Sequence, residues 1–528
     1  MLDRVRAWAG TAREAARAVH GAGMLTPVRP DLAVRMPLRY RRFGPTPATL
    51  GAIAALRWPD RTALIDERGE ITYAELDRQA AALATALHER RPPGSAIGVL
   101  CRNHRGFVQA LLAASRLGAD VVLLNTDFSA RQLGDVLDRE HVGLLVHDAE
   151  FDEVVGGSSF TGARVLADGI AGPVSAAAPP PPHGRCRVIV LTSGTTGTPK
   201  GARTEPSLPL LLRSSFSHLM RVPLRSGEPI IVAPPLFHVL GLGYLSLAMS
   251  LGMPVVPTRR FDPDEVLAAV ERHRVQALVA VPIMLQRLTE AASRTRHDTG
   301  SLRVVVSGGS ALLPRVAEAF MDRFGDVLVN IYGATETMWA AIATPADLRE
   351  APGTVGRPVA GLKVAILDPD GAAALPPGRT GEIYTSGGVH FTGYTGGGDR
   401  PRRGGLIGTG DLGHLDAAGR LFVDGRADDM IVSGGENVFP GEVEDVLTGH
   451  PDVAEAAVTG VDDPEFGQRL AAYVVPGKGS GLTADDVRDH VRRNLARYKV
   501  PRDVHLVAEL PRTITGKVRK RDLAHRDV

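Results

Sequence analysis

Up to Gly333 the chain alternates short, dense apolar runs with longer stretches in which apolar residues recur at helical spacing. RCRVIVLTSG, EPIIVAPP, VQALVAVP, LRVVVSGG and DVLVNIYG each hold several β-formers and stop at Gly, Pro, Ser or Tyr, as buried strands do. ITYAELDRQAAALATALHER, preceded by the capping hydroxyl of Thr72, reads as a helix leading into the strand SAIGVLC. HRGFVQALLAASRLGADVVLLN repeats this helix-to-strand step. The pattern predicts an α/β fold with parallel sheets, whose active groups lie in loops beyond the strand ends.

From about residue 361 the texture changes to GLKVAILD, GEIYTSG and RLFVDG, shorter segments split by turns such as DPDG, which predict a small antiparallel β-rich portion. Residues 426–528 hold enough strand and helix for a separate small α/β domain. The expected organisation is a lead-in over 1–48 with an amphipathic helix, a large domain over 49–425 and a small domain over 426–528, with a hinge near Asp428. The proline run at 177–184 reads as a stiff surface connector.

Composition narrows the partners. Against 59 acidic residues stand 61 basic ones, so nothing selects for nucleic acid. The apolar runs are too short or too interrupted for the roughly 20 residues of a membrane span, so no stable membrane insertion is expected. The basic N-terminal stretch is broken by polar residues before any signal-like core forms; its helix packs on its own domain or touches a membrane surface peripherally. Cys101 and Cys186 supply neither a disulfide framework nor a zinc cluster, which fits a cytoplasmic protein. Only six of the basic residues are lysines, so each one invites a question.

Lys200 closes LTSGTTGTPKG, directly after the strand VIV. Its glycines allow a tight backbone path, and its hydroxyls and ammonium suit a polyphosphate; a solvated Gly/Thr loop has the same composition. The spacing is not that of a P-loop, because Pro199 precedes the lysine and Gly201 follows it. Two further strand ends, SGGS at 307–310 and NIYGATET at 330–337, can approach one ligand from neighbouring sheet positions.

In this order, TSGTTGTPKG, YGATET, TGD, GRADDMIVSGGENVFPGEVE and PRTITGK resemble the adenylate-forming acyl-CoA synthetase family over about residues 50–525, with fatty-acid-CoA ligases as the nearest type. The resemblance implies a large AMP-binding domain and a mobile C-terminal domain. It also implies ATP-dependent activation of a carboxylic acid to acyl-AMP with Mg2+, then thioester formation with coenzyme A. Thr192, Ser193, Gly194, Thr195, Thr196, Gly197 and Lys200 would grip the ATP phosphates. Gly308, Gly309 and Ser310 would line the adenine, Tyr332 would stack on it, and Thr335 would donate to phosphate. Glu336 would hold the metal, Asp411 the ribose hydroxyls and Arg426 the phosphate side. Lys517 would approach the reacting carboxylate and α-phosphate. Gly435 and Asn437 would border the thiol tunnel, and Phe237, His238 and Trp339 the acyl pocket. The implied acid is a medium or long fatty acid; other carboxylic acids, and an acyl carrier protein in place of coenzyme A, stay open.

Overall fold

The computed structural model describes the chain apart from residues 1–19, 24–28, 168–180, 183, 185, 193–199, 206–214, 369–372, 387–389, 396, 428, 434–435, 464–466, 514–515 and 525–528. The hinge position Asp428, Gly435 and loop residues Ser193, Gly194, Thr195, Thr196 and Gly197 therefore lie outside the described residues, as does most of the lead-in and of the proline connector.

Two large, mostly parallel sheets carry the first part of the chain. In the nine-stranded sheet, Leu328–Ala334, Val304–Gly308, Ala277–Ala280, Ile230–Val232, Val255–Pro257 and Thr62–Asp66 run parallel in that order. Antiparallel strands close both edges: Met338–Ala343 with Arg357–Pro358 on one side, Gly69–Thr72 on the other. The seven-stranded sheet has Val188–Thr192, Val121–Leu123, Ala96–Leu100, Val142–His147 and Ala163–Leu166 in parallel. Their side chains are almost wholly buried in the three central strands, because helices cover both faces.

Local chemistry sets the helix between them. Thr72 accepts a hydrogen bond from the Glu75 amide at 3.2 Å and caps the helix Tyr73–Arg90. Tyr73, fully buried, donates its hydroxyl to the Met253 carbonyl at 2.9 Å, tying that helix to the nine-stranded sheet.

Beyond residue 361 the strands Val364–Leu367, Gly381–Thr385, Leu406–Leu415 and Leu421–Arg426 form an antiparallel sheet, as the turn-rich pattern predicts. His390–Tyr394 leaves this group and pairs with Lys200–Glu205, which itself folds back antiparallel on Val188–Thr192. From Ile431 onward a separate five-stranded sheet forms, centred on Val453–Asp463 and Gly467–Pro476. Among the described residues no helix is long and apolar enough to cross a membrane.

Among the described residues, contacts of the C-terminal part with the large part include two close ones. Arg315 donates to the Ala454 carbonyl at 2.6 Å. Gly516, at φ +80°, comes so close to Ile283 that a Cβ there would lie 2.5 Å from its Cγ2. Only a residue without a side chain, free to adopt positive φ, lets this loop seat so deeply.

Candidate active site

Neighbouring strands bring the two predicted strand ends side by side: Ser307 pairs with Asn330 and Gly308 with Ile331. A Cβ on Gly308 would lie 2.7 Å from Ile331 Cγ1, so glycine is needed for this approach. Gly309, at φ +86°, turns the chain out and leaves Ser310 half-buried beside it.

Tyr332 is next along its strand and donates its hydroxyl to Asp411 Oδ2 at 2.6 Å. Asp411 belongs to the antiparallel sheet, where it faces Arg426 across the ladder; Arg426 Nη1 stands 3.5 Å from Asp411 Oδ1. Burial pushes the Asp411 carboxyl above the usual carboxylate range, against the opposing pull of Tyr332, Arg426, Lys517 and Arg400. The Tyr332 hydroxyl is raised too, by burial and then by the Asp411 charge, so the proton stays on the phenol.

After Tyr332 the chain makes a tight reversal. The Thr337 amide donates to the Ala334 carbonyl at 3.1 Å, and Met338 takes a left-handed φ of +57°. A Cβ on Gly333 would sit 1.8 Å from the Met338 carbonyl oxygen, which excludes any other residue there. The reversal presents Thr335, half-buried, and Glu336, only 4% exposed. Glu336 Oε1 accepts from the Tyr394 hydroxyl and from Arg400 Nε and Nη2, both at 3.1 Å.

Lys517 enters from a loop that follows the last strand of the C-terminal sheet. Its loop is closed by hydrogen bonds from the Gly516 amide to the Thr513 carbonyl and from the Thr513 amide to the Lys517 carbonyl, each 2.8 Å. The side chain keeps contact with solvent in the cleft, while the surrounding walls and then Arg426 lower its ammonium pKa and Asp411 and Glu336 oppose that shift. Lys517 also acts on His238, whose pKa falls to about 4, first through burial and then through the nearby ammonium. His238 is therefore a neutral imidazole at the head of the helix Val239–Leu251.

That helix and the strand Met338–Ala343 carry an aromatic wall. Phe237 and His238 have ring centroids 4.8 Å apart, and the rings of Trp339 and His218 lie 4.5 Å apart at a tilt of 39°. His218 Nε2 pairs with the Tyr244 hydroxyl at 2.8 Å. A Cβ on Gly243 would lie 3.6 Å from Trp339 Cζ3, so the helix offers the indole a bare backbone surface.

Tyr332, Thr335, Glu336, Asp411, Arg426, Lys517 and His238 thus gather around one cleft, with Phe237 and Trp339 on the aromatic side. Lys200 opens its strand, half-buried, and the next residue's amide donates to Thr395 Oγ1 at 2.9 Å, one residue beyond Tyr394. Thr192 pairs with Lys200 through the backbone, and Asn437 lies in the strand Glu436–Val438. Sequence reasoning passed over Tyr394, Arg400, His218 and Tyr244. Arg400 stands in GGGDRPRR, where a charged, glycine-rich run reads as solvated loop, and nothing local marks it as the partner of Glu336.

Residues 52–395 match the AMP-binding enzyme family, and residues 442–517 match the AMP-binding enzyme C-terminal domain. A feruloyl-CoA synthase of Amycolatopsis sp. is 36% identical over 482 residues, 89% of this chain and 96% of that protein. An indoleacetate–CoA ligase of Aromatoleum aromaticum is 38% identical over 341 residues, 64% of this chain and 66% of that protein. The solved o-succinylbenzoate CoA synthetase of Bacillus subtilis, in complex with its acyl-adenylate, is similar with a TM-score of 0.80 and 29% identity, covering 91% of this chain and 98% of that one. The same synthetase has been solved with ATP and a magnesium ion.

Proposed function

Because the chain belongs to the AMP-binding enzyme family, as an acid–thiol ligase that uses ATP, Mg2+ and coenzyme A, we propose that its acid is aromatic and that the cleft around Lys517 performs the adenylation. The expectation of a fatty acid gains no support from the relatives, whose names specify feruloyl, indoleacetate and succinylbenzoate acyl groups. A flat ring also suits the wall of Phe237, Trp339 and the bare backbone at Gly243.

The observation that carries the reading is the meeting of Lys517, from the loop after the C-terminal sheet, with Asp411, Glu336 and Arg426 from the large domain. A carboxylate oxygen of the acid attacks the α-phosphorus, and the bond to the β-phosphate oxygen breaks, releasing pyrophosphate. Lys517 and Arg426 stand where negative charge accumulates, and fixed cations in a partly desolvated cleft stabilise it without reorganising. Lys517 supplies charge and no covalent nucleophile. Asp411, an acceptor-only group, takes the ribose hydroxyls, and Tyr332 lies against the adenine beside Gly308, Gly309 and Ser310. Lys200 and the Thr192–Gly197 segment take the phosphate chain.

Glu336 suits a magnesium ion: it is a buried carboxylate that already holds a cationic group, Arg400, and hard cations favour such oxygens. A magnesium ion held there would supply positive charge to the phosphate oxygens. In the second half-reaction the thiolate of coenzyme A attacks the acyl carbonyl and the bond to AMP breaks. Gly435 and Asn437 are assigned to the thiol's path, with rotation about Asp428 taking Lys517 away.

The test is an acid panel of 3-arylpropenoic, arylacetic, substituted benzoic and saturated fatty acids. Each is given with ATP and Mg2+ and either coenzyme A or a holo carrier protein, and AMP and acylated product are measured separately. Aromatic acids should yield AMP and the coenzyme A thioester. Turnover of fatty acids alone would return the substrate to that class, product with the carrier alone would replace the acceptor, and no acid-dependent AMP would refute the adenylation site.

A further inference from the structure

Glu336 is a carboxylate already spoken for. The Tyr394 hydroxyl and two nitrogens of Arg400 all converge on its Oε1, and Arg400 Nε also donates to Tyr394 Oη at 2.9 Å. The side chain of Glu336 is only 5% exposed, that of Arg400 24%. Arg400 hangs from a turn at Gly397 and Gly398, both at positive φ (+94° and +97°), in which the Tyr394 amide donates to the Gly398 carbonyl at 3.1 Å. This turn folds the guanidinium back across the strand that carries Tyr394.

The other edge of the guanidinium faces the nucleotide side. A Cβ built on Gly410, the residue before Asp411, would lie 2.8 Å from Arg400 Nη1 and 3.4 Å from Arg426 Nη2. Two guanidinium groups thus meet over one glycine, with Lys517 acting on the same Asp411. Each guanidinium is held by a carboxylate, Arg400 by Glu336 and Arg426 by Asp411, so a metal that takes Glu336 leaves Arg400 in need of another anion beside Arg426. A planar fork that can leave a carboxylate for phosphate oxygens is a property of arginine that lysine lacks.

We propose that Arg400 is the resident counter-ion of Glu336 and a ligand of the ATP phosphates: it holds the carboxylate while the nucleotide is away and hands it to the metal as its own fork passes to the triphosphate. Metal and nucleotide then enter by exchange of charge at one oxygen, so that neither a bare buried carboxylate nor an unneutralised cluster of cations is formed. The inference rests on the placement of the nucleotide at Glu336 and Asp411, and it adds a residue that the family motifs in the sequence do not point to.

The experiment measures two affinities in wild type, Arg400→Met and Arg400→Lys: Mn2+ alone, by electron paramagnetic resonance, and MgATP, by calorimetry. Arg400→Met should bind Mn2+ more tightly, because its competitor is gone, and MgATP more weakly. Both shifts should be on the order of 10- to 100-fold, the range for charge-assisted hydrogen bonds. Arg400→Lys should fall between, and it carries the same comparison should the Met variant fail to fold. General damage weakens both ligands, so the opposite signs separate the proposed role from a structural one. Unchanged or weaker Mn2+ binding in Arg400→Met overturns the exchange, and unchanged MgATP affinity overturns the phosphate contact. Glu336→Gln is the control for the underlying site: if it leaves both affinities intact, the nucleotide–metal placement itself fails.

Discussion

Tyr332 and Asp411 share a hydrogen bond of 2.6 Å although they stand 79 residues apart and on strands of different sheets. The phenol therefore fixes the carboxylate that is assigned to the ribose, and opposes the upward push of burial on its pKa. An ionised Asp411 is the form that accepts hydroxyls, so ATP affinity should fall as pH drops through a value above the ordinary carboxylate range. Tyr332→Phe should move that acid limb to higher pH. Asp411→Asn should raise the KM for ATP about 10- to 100-fold, since bonds to a charged group contribute about 1.5–3 kcal/mol. The same variant should erase any preference for ATP over 2′-deoxy-ATP; a preference left intact would remove Asp411 from the ribose.

Lys517 should divide the two half-reactions. Lys517→Ala is expected to slow acyl-AMP formation about 10²- to 10³-fold, the scale for losing one preorganised group that stabilises developing charge. Thioester formation from supplied acyl-AMP should stay within a few-fold of wild type, because the proposed rotation takes Lys517 out of the cleft for that step. Equal loss in both halves would contradict the assignment. The lowered pKa of the ammonium predicts an alkaline limb for adenylation that begins below the ordinary lysine value, and Lys517→Arg should shift that limb upward.

What could be read along the chain is what local chemistry decides. The strand ends at Gly308 and Tyr332 show because β-formers stop at glycine-rich turns, and the helix from Tyr73 shows because Thr72 caps it. The order of motifs was enough for the family, and its resemblance pointed to Glu336, Asp411 and Lys517, which the structure brings near one another. Tyr394 and Arg400 stayed hidden because they lie 58 and 64 residues from Glu336, and their approach depends on a long-range pairing. His390–Tyr394 joins Lys200–Glu205, so one sheet edge is built from segments that share no local signal. His218 and Tyr244 likewise meet through packing, and a buried histidine looks like any other until its neighbours are known. Pocket shape is a property of such meetings, which is why the acid's class could not be settled from residue order.

Gly243 packs against Trp339 in the wall proposed to take the aromatic ring. With the Gly243 Cβ position 3.6 Å from Trp339 Cζ3, a valine there would crowd the indole. Overfilling of a packed site costs about 1–3 kcal/mol, so Gly243→Val should cut kcat/KM for ring acids about 10- to 100-fold. Trp339→Ala should relax selection against bulkier rings. The check is the ratio of kcat/KM between an arylpropenoic acid and a small aliphatic acid within each variant, which does not depend on the fraction of active protein. A ratio indifferent to both substitutions would place the ring elsewhere.

His218 gives the large domain a particular acid sensitivity. It is fully buried with no hydrogen-bond partner for Nδ1 among the described residues, and burial lowers its pKa to about 3. The folded protein therefore holds it neutral where the unfolded chain, with an ordinary histidine pKa near 6.5, binds a proton. Stability from this group is complete above that unfolded value and is lost as pH falls toward the folded one, at up to about 1.4 kcal/mol per pH unit. His238, lowered to about 4, adds a second loss over much of the same range. His218→Gln can keep a polar contact with Tyr244 but cannot titrate. It should cost a fixed amount of stability above pH 7, through the lost tilted ring contact with Trp339, and that deficit should shrink steadily as the solution is acidified. The measurement is the difference in urea midpoint between wild type and variant from pH 7.5 to pH 5. Parallel curves would mean that His218 takes up its proton in the folded protein as readily as in the unfolded chain, and that its burial costs the imidazolium nothing.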